Sequence, residues 1–223
     1  AKWLTGQGVG RGDRVAVWLN NSHTWLALLF GAARIGAVVA AVNTRYRTAE
    51  LHHILASSRA RMLIFDSDDS HADFAEMIAA LDMTTLPTLT ALASPAGGTE
   101  IAGLAVAACR FDDLNPTPSQ DAAPADPLLL FTTSGTTSKP KLVLHTQETL
   151  SLHATLCAGA YGFNRPGTRY LAAMPFCGVF GLNPTLAAVA GGAPVHIMPV
   201  FQVAPAIERV RANAITHFFG SDE

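Results

Sequence analysis

A chain of 223 residues can bury about 70% of its unfolded surface, which leaves room for a substantial core in one large domain or two small ones. With 15 basic and 17 acidic residues the formal charge is −2, which argues against a nucleic-acid footprint or a basic membrane face and for a small-molecule partner. Cys109, Cys157 and Cys177 are odd in number and form no C-x-x-C pair, as expected of reduced thiols in a cytoplasmic protein.

In chain order, Gly6, Gly8, Gly10 and Gly12 read as turn residues leading into a strand over Arg14–Leu19. A dinucleotide fingerprint would place its glycines after the strand, so that reading is rejected. Asn21 or Ser22 caps a helix over His23–Ile35, where Trp25, Leu28, Leu29 and Ala32 recur at helical spacing and Gly36 ends the run. Ala37–Val42 is the next strand. Thr48 caps a helix to about Ser58 with Glu50 in its first turn, where a negative charge suits the dipole. Arg61–Phe65 is a strand and His71–Leu81 a helix. This alternation predicts a layered α/β fold, with mostly parallel sheets flanked by helices.

From Thr84 to Asp126 the composition turns to Pro, Gly, Ala and Thr, which predicts an irregular excursion with one strand at Leu86–Leu92. Pro116–Pro127 reads as a linker, giving a first region over 1–115, a linker over 116–127 and a second region over 128–223. In the second region, strands at Leu128–Phe131 and Leu142–Leu144 flank a polar loop, and Thr146 or Gln147 opens a helix to about Gly159. Strands at Arg169–Met174, Pro194–Val200 and Ile215–Phe219 alternate with helical residues Thr185–Ala190 and a helix over Ala204–Ala212. Tyr170–Ile207 carries no Asp, Glu, Lys or Arg, but Pro175, Pro184, Pro194 and Pro199 cut it well below the ~20 apolar residues of a membrane span.

The polar loop between the two strands of the second region carries the chemistry. Thr132, Thr133, Ser134, Gly135, Thr136, Thr137 and Ser138 have small side chains, and Gly135 lets the chain curl so that successive N–H groups can face an anion. The hydroxyls add donors, and Lys139 and Lys141 add positive charge on either side of Pro140. A polyphosphate is the natural guest, and a solvated Ser/Thr turn is the plain alternative. It is not a Walker loop, which needs a second glycine before the lysine and a hydroxyl after it. Ser134 does not sit in G-x-S-x-G, so no hydrolase elbow is present. The eight histidines stand in no H-E-x-x-H or Cys/His ligand spacing, and His52 and His53 point about 100° apart on a helix, so no metal site is expected.

The string T-S-G-T-T-S-K-P-K after an apolar strand resembles the phosphate loop of the adenylate-forming (AMP-binding) superfamily, which usually reads T-S-G-T-T-G-x-P-K-G. Thr133, Ser134, Gly135, Thr136, Thr137, Pro140 and Lys141 match, while Ser138 and Leu142 replace two glycines. Met174–Leu182 is similar to that family's P-x-F-H-x-x-G segment through Pro175, Phe180, Gly181 and Leu182, with Gly178 where the family usually has histidine.

The resemblance implies part of the large N-terminal domain of an acyl-CoA synthetase-like enzyme that uses ATP, Mg²⁺ and coenzyme A to activate a carboxylic acid. By the same resemblance Thr133, Ser134, Gly135, Thr136, Thr137 and Lys141 hold the nucleotide, and Phe176 and Gly178 border the substrate pocket. Lys139 falls at a position the family leaves variable. The chain opens without Met and stops at Glu223, and the family's later motifs and its small C-terminal domain would lie beyond that point. A noncatalytic nucleotide-binding module of the same fold is the alternative. A homo-oligomer is compatible with either reading.

Overall fold

The computed structural model describes residues 1–67, 73–111, 122–133 and 140–220. Its elements begin with α1 (Lys2–Gly6), β1 (Arg14–Trp18), α2 (His23–Ile35), β2 (Val38–Ala41), α3 (Thr48–Ser58), β3 (Met62–Phe65) and α4 (Phe74–Ala79). A 3₁₀ turn over Met83–Thr85 then leads to β4 (Ala91–Ser94), β5 (Glu100–Ile101), β6 (Leu104–Ala108), β7 (Pro127–Thr133) and β8 (Lys141–Thr146). The remainder comprises α5 (Gln147–Tyr161), β9 (Tyr170–Ala172), α6 (Val179–Ala190), β10 (Val195–Ile197), α7 (Val203–Ala212) and β11 (His217–Phe218).

Two sheets result. The larger runs β5-β6-β4-β3-β1-β2-β7-β8, parallel throughout its centre and antiparallel at both edges, where β5 pairs with β6 and β8 with β7. The smaller runs β10-β9-β11 and is parallel throughout. The layered α/β expectation is met. β7 and β8 extend the first sheet beside β2, so the two sheets separate after Thr146. The linker expected over 116–127 lies partly outside the described residues.

Burial explains the strand composition. β1, β2 and β3 are covered on both faces, and Ala16, Val17, Trp18, Val39, Ala40, Leu63 and Ile64 are each at most 1% exposed. Such strands read as continuous apolar runs rather than alternating ones. One core lies between the larger sheet and the α2/α5/α6 side, gathering Trp25, Leu29, Phe131, Phe163, Tyr170 and Phe176. The other lies under α3 and α4 and gathers Trp18, Leu51, Ile54, Leu55, Phe65 and Phe74.

One helix-cap expectation is corrected and two are narrowed to one of the residues offered. Helical geometry begins at Thr48, so Arg47 and not Thr48 occupies the cap position of α3; the Glu50 carboxylate accepts from the Arg47 N–H at 3.1 Å. Ser22, not Asn21, caps α2, its hydroxyl accepting from Trp25 N–H at 3.2 Å. Thr146 caps α5 by accepting from Thr149 N–H at 3.2 Å.

The strand expected at Leu86–Leu92 starts at Ala91 instead. Leu86 and Leu89 plug the core from an irregular segment, and Asp82 stabilises the 3₁₀ turn by accepting from Thr84 N–H at 3.1 Å. The expected irregular excursion also contains the β5–β6 hairpin. Its two-residue turn is Ala102-Gly103, both at positive φ (50° and 79°), the mirror-image turn that matches strand twist. Helix α6 starts earlier than Thr185, at Val179, and carries Pro184 in its interior.

Candidate functional site

Because β7 runs parallel to β2, its carboxyl end at Thr133 lies at the same edge of the sheet as the ends of β1 and β2. Ligands of parallel α/β sheets bind at that edge, where successive loops diverge. A cleft of about 370 Å³ opens there, lined by residues that follow strands of both sheets. Leu19, Asn20 and Asn21 follow β1, Thr44 and Arg45 follow β2, Ala173–Pro175 and Cys177 follow β9, Pro199–Phe201 follow β10, and Phe218 and Gly220 end β11. No Asp or Glu is among these residues, and Arg45 is their single formal charge.

Asn21 holds the two sheets together at the floor of this cleft. It is 3% exposed; its amide donates to the carbonyls of Met174 (2.9 Å) and Met198 (3.2 Å), and its Oδ1 accepts from Phe176 N–H at 2.7 Å. Three backbone groups of the β9 and β10 ends are thereby satisfied by one side chain from the β1 end. Phe176 is 1% exposed and meets Trp25 edge-on at 5.8 Å, so its ring lies in the core beneath the cleft. Cys177 faces the cleft. Burial pushes its thiol up to about 11 against the opposing effects of a Thr44 backbone contact and the Arg45 charge, so it is protonated and a poor nucleophile at neutral pH.

Gly178 occupies the cap position of α6, and a Cβ there would meet only the Pro175 carbonyl at 3.7 Å, an ordinary contact. Gly181 is different, since a Cβ would run into the carbonyls of Met174 and Pro175. The turn from β9 into α6 closes only with glycine at 181, whereas position 178 has space for a side chain.

Of the expected nucleotide ligands, Thr133 and Lys141 face each other across the last described pair of the β7–β8 ladder, and both are exposed. Ser134, Gly135, Thr136 and Thr137 lie outside the described residues, as do Ser138 and Lys139. The bases of the loop are held from outside the hairpin. Tyr46, next to the cleft residue Arg45, donates its phenolic hydrogen to Thr132 Oγ1 at 3.1 Å, and His53 Nε2 lies 2.9 Å from the Pro140 carbonyl. His52 points elsewhere, to Thr85 Oγ1 at 2.6 Å, so the adjacent histidines do diverge. Among the described residues, no group of three or more His, Cys, Asp or Glu is placed to hold a metal ion.

Sequence reasoning missed Asn21 as a clamp, together with Arg45, Tyr46, His53 and Cys177. Each acts through a partner more than 80 positions away or through the cleft, and of these only Cys177 stands within a motif-like segment.

This arrangement defines an α/β protein with a cleft at the strand ends, and the chain belongs to the AMP-binding enzyme family, whose pattern matches residues 1–221. It is 28% identical, over 89% of its length, to a long-chain-fatty-acid–CoA ligase of Mycobacterium tuberculosis, and 31% identical, over 97%, to a 2-succinylbenzoate–CoA ligase of Geobacillus. The chain spans 37% and 39% of those two proteins. Among solved structures it superposes on the inhibitor-bound N-terminal domain of FACL13 from Mycobacterium tuberculosis with a TM-score of 0.78 and 26% identity, covering 97% of this chain and 51% of that one. No helix among the described residues is long and apolar enough to cross a membrane.

Proposed function

We propose that this chain is the ATP- and acid-binding portion of an acid–thiol ligase that joins a carboxylate to ATP, releases pyrophosphate and passes the acyl group to coenzyme A. The observation that carries this reading is the position of the Thr133–Lys141 pair at the carboxyl edge of the parallel sheet, the edge at which the cleft opens. Thr133, Ser134, Gly135, Thr136, Thr137 and Lys141 hold the β and γ phosphates, and the lysine offsets charge that builds on the departing pyrophosphate. A carboxylate arrives ionised and needs no base, which suits a cleft whose one thiol, Cys177, is held protonated by burial.

The relatives named above act on a long-chain fatty acid and on 2-succinylbenzoate, and both names support an organic acid as substrate here. Gly178 and the neighbourhood of Phe176 border its route, with Gly178 leaving room where a side chain would fit. Mg²⁺ would arrive with the nucleotide phosphates, which supply most of its ligands. Among the described residues that line the cleft there is no carboxylate, and no protein ligand is assigned. ATP and reduced thiols both suit a cytoplasmic setting.

The test is carboxylate-dependent exchange of pyrophosphate into ATP by the full-length protein, across short, long and aromatic acids. Exchange that requires one class of acid supports the reading. ATP binding without exchange for any acid would instead identify a noncatalytic nucleotide-binding module.

A further inference from the structure

Lys141 and Thr133 can serve a phosphate only if the strand ends that carry them are fixed, and the β7–β8 hairpin is poorly braced by the sheet. β8 is the edge strand, and among the described strands it pairs with β7 alone. Two side chains from the opposite direction supply the missing support. Tyr46 reaches Thr132 on the outgoing stem and His53 reaches Pro140 on the returning stem, across 86 and 87 positions of sequence.

Both side chains come from a rigid platform. His53 is on α3, whose Leu51, Ile54 and Leu55 are at most 1% exposed, and Tyr46 and Leu142 pack against the same core cluster. We propose that Tyr46 and His53 are positioning residues for the Thr133–Lys141 pair: they hold the two strand ends that carry it, and His53 in particular sets Lys141. This inference rests on the reading of Lys141 as a phosphate ligand.

The chemistry of the contact favours control over mere packing. Proline has no N–H, so the carbonyl is the one backbone group of Pro140 that can be held. The peptide linking it to Lys141 is planar, so anchoring the Pro140 oxygen fixes the plane that places the Lys141 backbone nitrogen and Cα, the point from which its side chain leaves. A carbonyl only accepts, so His53 carries its proton on Nε2, and Ser57 Oγ lies 3.5 Å from Nδ1 on the other side of the ring. On the first stem, Thr132 lies opposite Leu142 in the ladder and precedes Thr133, so the Tyr46 hydroxyl holds the residue from which the loop departs.

The test is a mutant cycle read by acid-dependent pyrophosphate exchange in the full-length protein. His53→Ala should lower the turnover rate roughly three- to tenfold, the range to which the net worth of one hydrogen bond converts, with less change in the KM for the acid. In a Lys141→Ala background the same substitution should cost less than about twofold, because a positioning effect vanishes when the positioned group is gone. His53→Gln, whose amide can donate to the same carbonyl, should recover most of the loss.

Tyr46→Phe removes a single hydroxyl and tests the other stem should His53→Ala fold poorly; it too should lower turnover at an unchanged melting temperature. Equal losses from His53→Ala in both backgrounds, or a loss that tracks melting temperature and is not recovered by glutamine, would overturn the inference while leaving the phosphate site intact. Lys141→Ala with full exchange activity would overturn both.

Discussion

Replacing Asn21 with alanine removes one buried side chain that serves three backbone groups belonging to the ends of two other strands. The carbonyls of Met174 and Met198 lose their donor and Phe176 N–H loses its acceptor, at a position 3% exposed. A satisfied hydrogen bond is worth about 1 kcal/mol net, and a buried group left unpaired costs about 1–3 kcal/mol, so the substitution should destabilise the fold by about 3–5 kcal/mol. For a chain of this size about 3 kcal/mol corresponds to a fall in melting temperature of roughly 6–12 °C.

The assay is urea unfolding monitored by tryptophan fluorescence, with Ser22→Ala as the comparison, since that substitution removes a single helix cap worth about 1 kcal/mol. Asn21→Asp is a sharper variant. Ionised aspartate can still accept from Phe176 but cannot donate to either carbonyl, so it should be as destabilising as alanine at neutral pH and regain stability as acid returns a proton to the carboxyl. A loss for Asn21→Ala no larger than that for Ser22→Ala would refute the view that this residue ties the two sheets at the cleft floor.

Further outcomes follow from the same geometry. Gly181→Ala should prevent proper closure of the turn into α6 and abolish soluble expression, whereas Gly178→His should fold and shift the range of acids accepted by the full-length protein; unaltered folding of the first or an unaltered acid range for the second would contradict the packing. Burial pushes Cys109 and Tyr170 up to about 12 and Cys177 up to about 11, so the folded chain keeps protons that the unfolded chain releases from about pH 9. Stability should therefore be fully present below about pH 9 and decline as the pH rises toward 11–12, with Tyr170→Phe flattening the upper part of that decline; a level denaturation profile across this window would count against it. Arg45, the single charge among the described residues lining the cleft, should hold an anionic group of the acid or the thiol, so Arg45→Ala should raise the KM for one of them by roughly tenfold or more, and unchanged KM values for both would exclude the contact.

The sequence makes the elements legible wherever one physical signal dominates. The apolar runs that became β1, β2 and β3 are continuous because those strands are buried on both faces, and His23–Ile35 keeps its helical spacing because one face of α2 meets the core. The β5–β6 hairpin is hidden because its turn uses Ala102 before Gly103, and alanine carries no advertisement for positive φ. The start of α3 is misread because threonine is a common cap residue, while the structure begins the helix at Thr48 and uses Glu50 to hold the preceding N–H. At the candidate site, Thr133 and Lys141 are singled out by the loop string, and the fold pairs them at the end of the β7–β8 ladder. Asn21, Tyr46 and His53 are not, since their roles are set by partners that only the fold brings near.

Comparing Lys141→Ala with Lys139→Ala in the full-length protein, by the rate of acid-dependent pyrophosphate exchange at saturating acid and ATP, tests the account most directly. Removing one donor to developing negative charge commonly costs on the order of 10²–10³ in rate, while a lysine that contacts no phosphate contributes far less. Lys141→Ala should therefore be slower by at least about a hundredfold with Lys139→Ala near the parent rate. Equal impairment of the two, or a greater loss from Lys139→Ala, would contradict the assignment of Lys141 as the phosphate ligand.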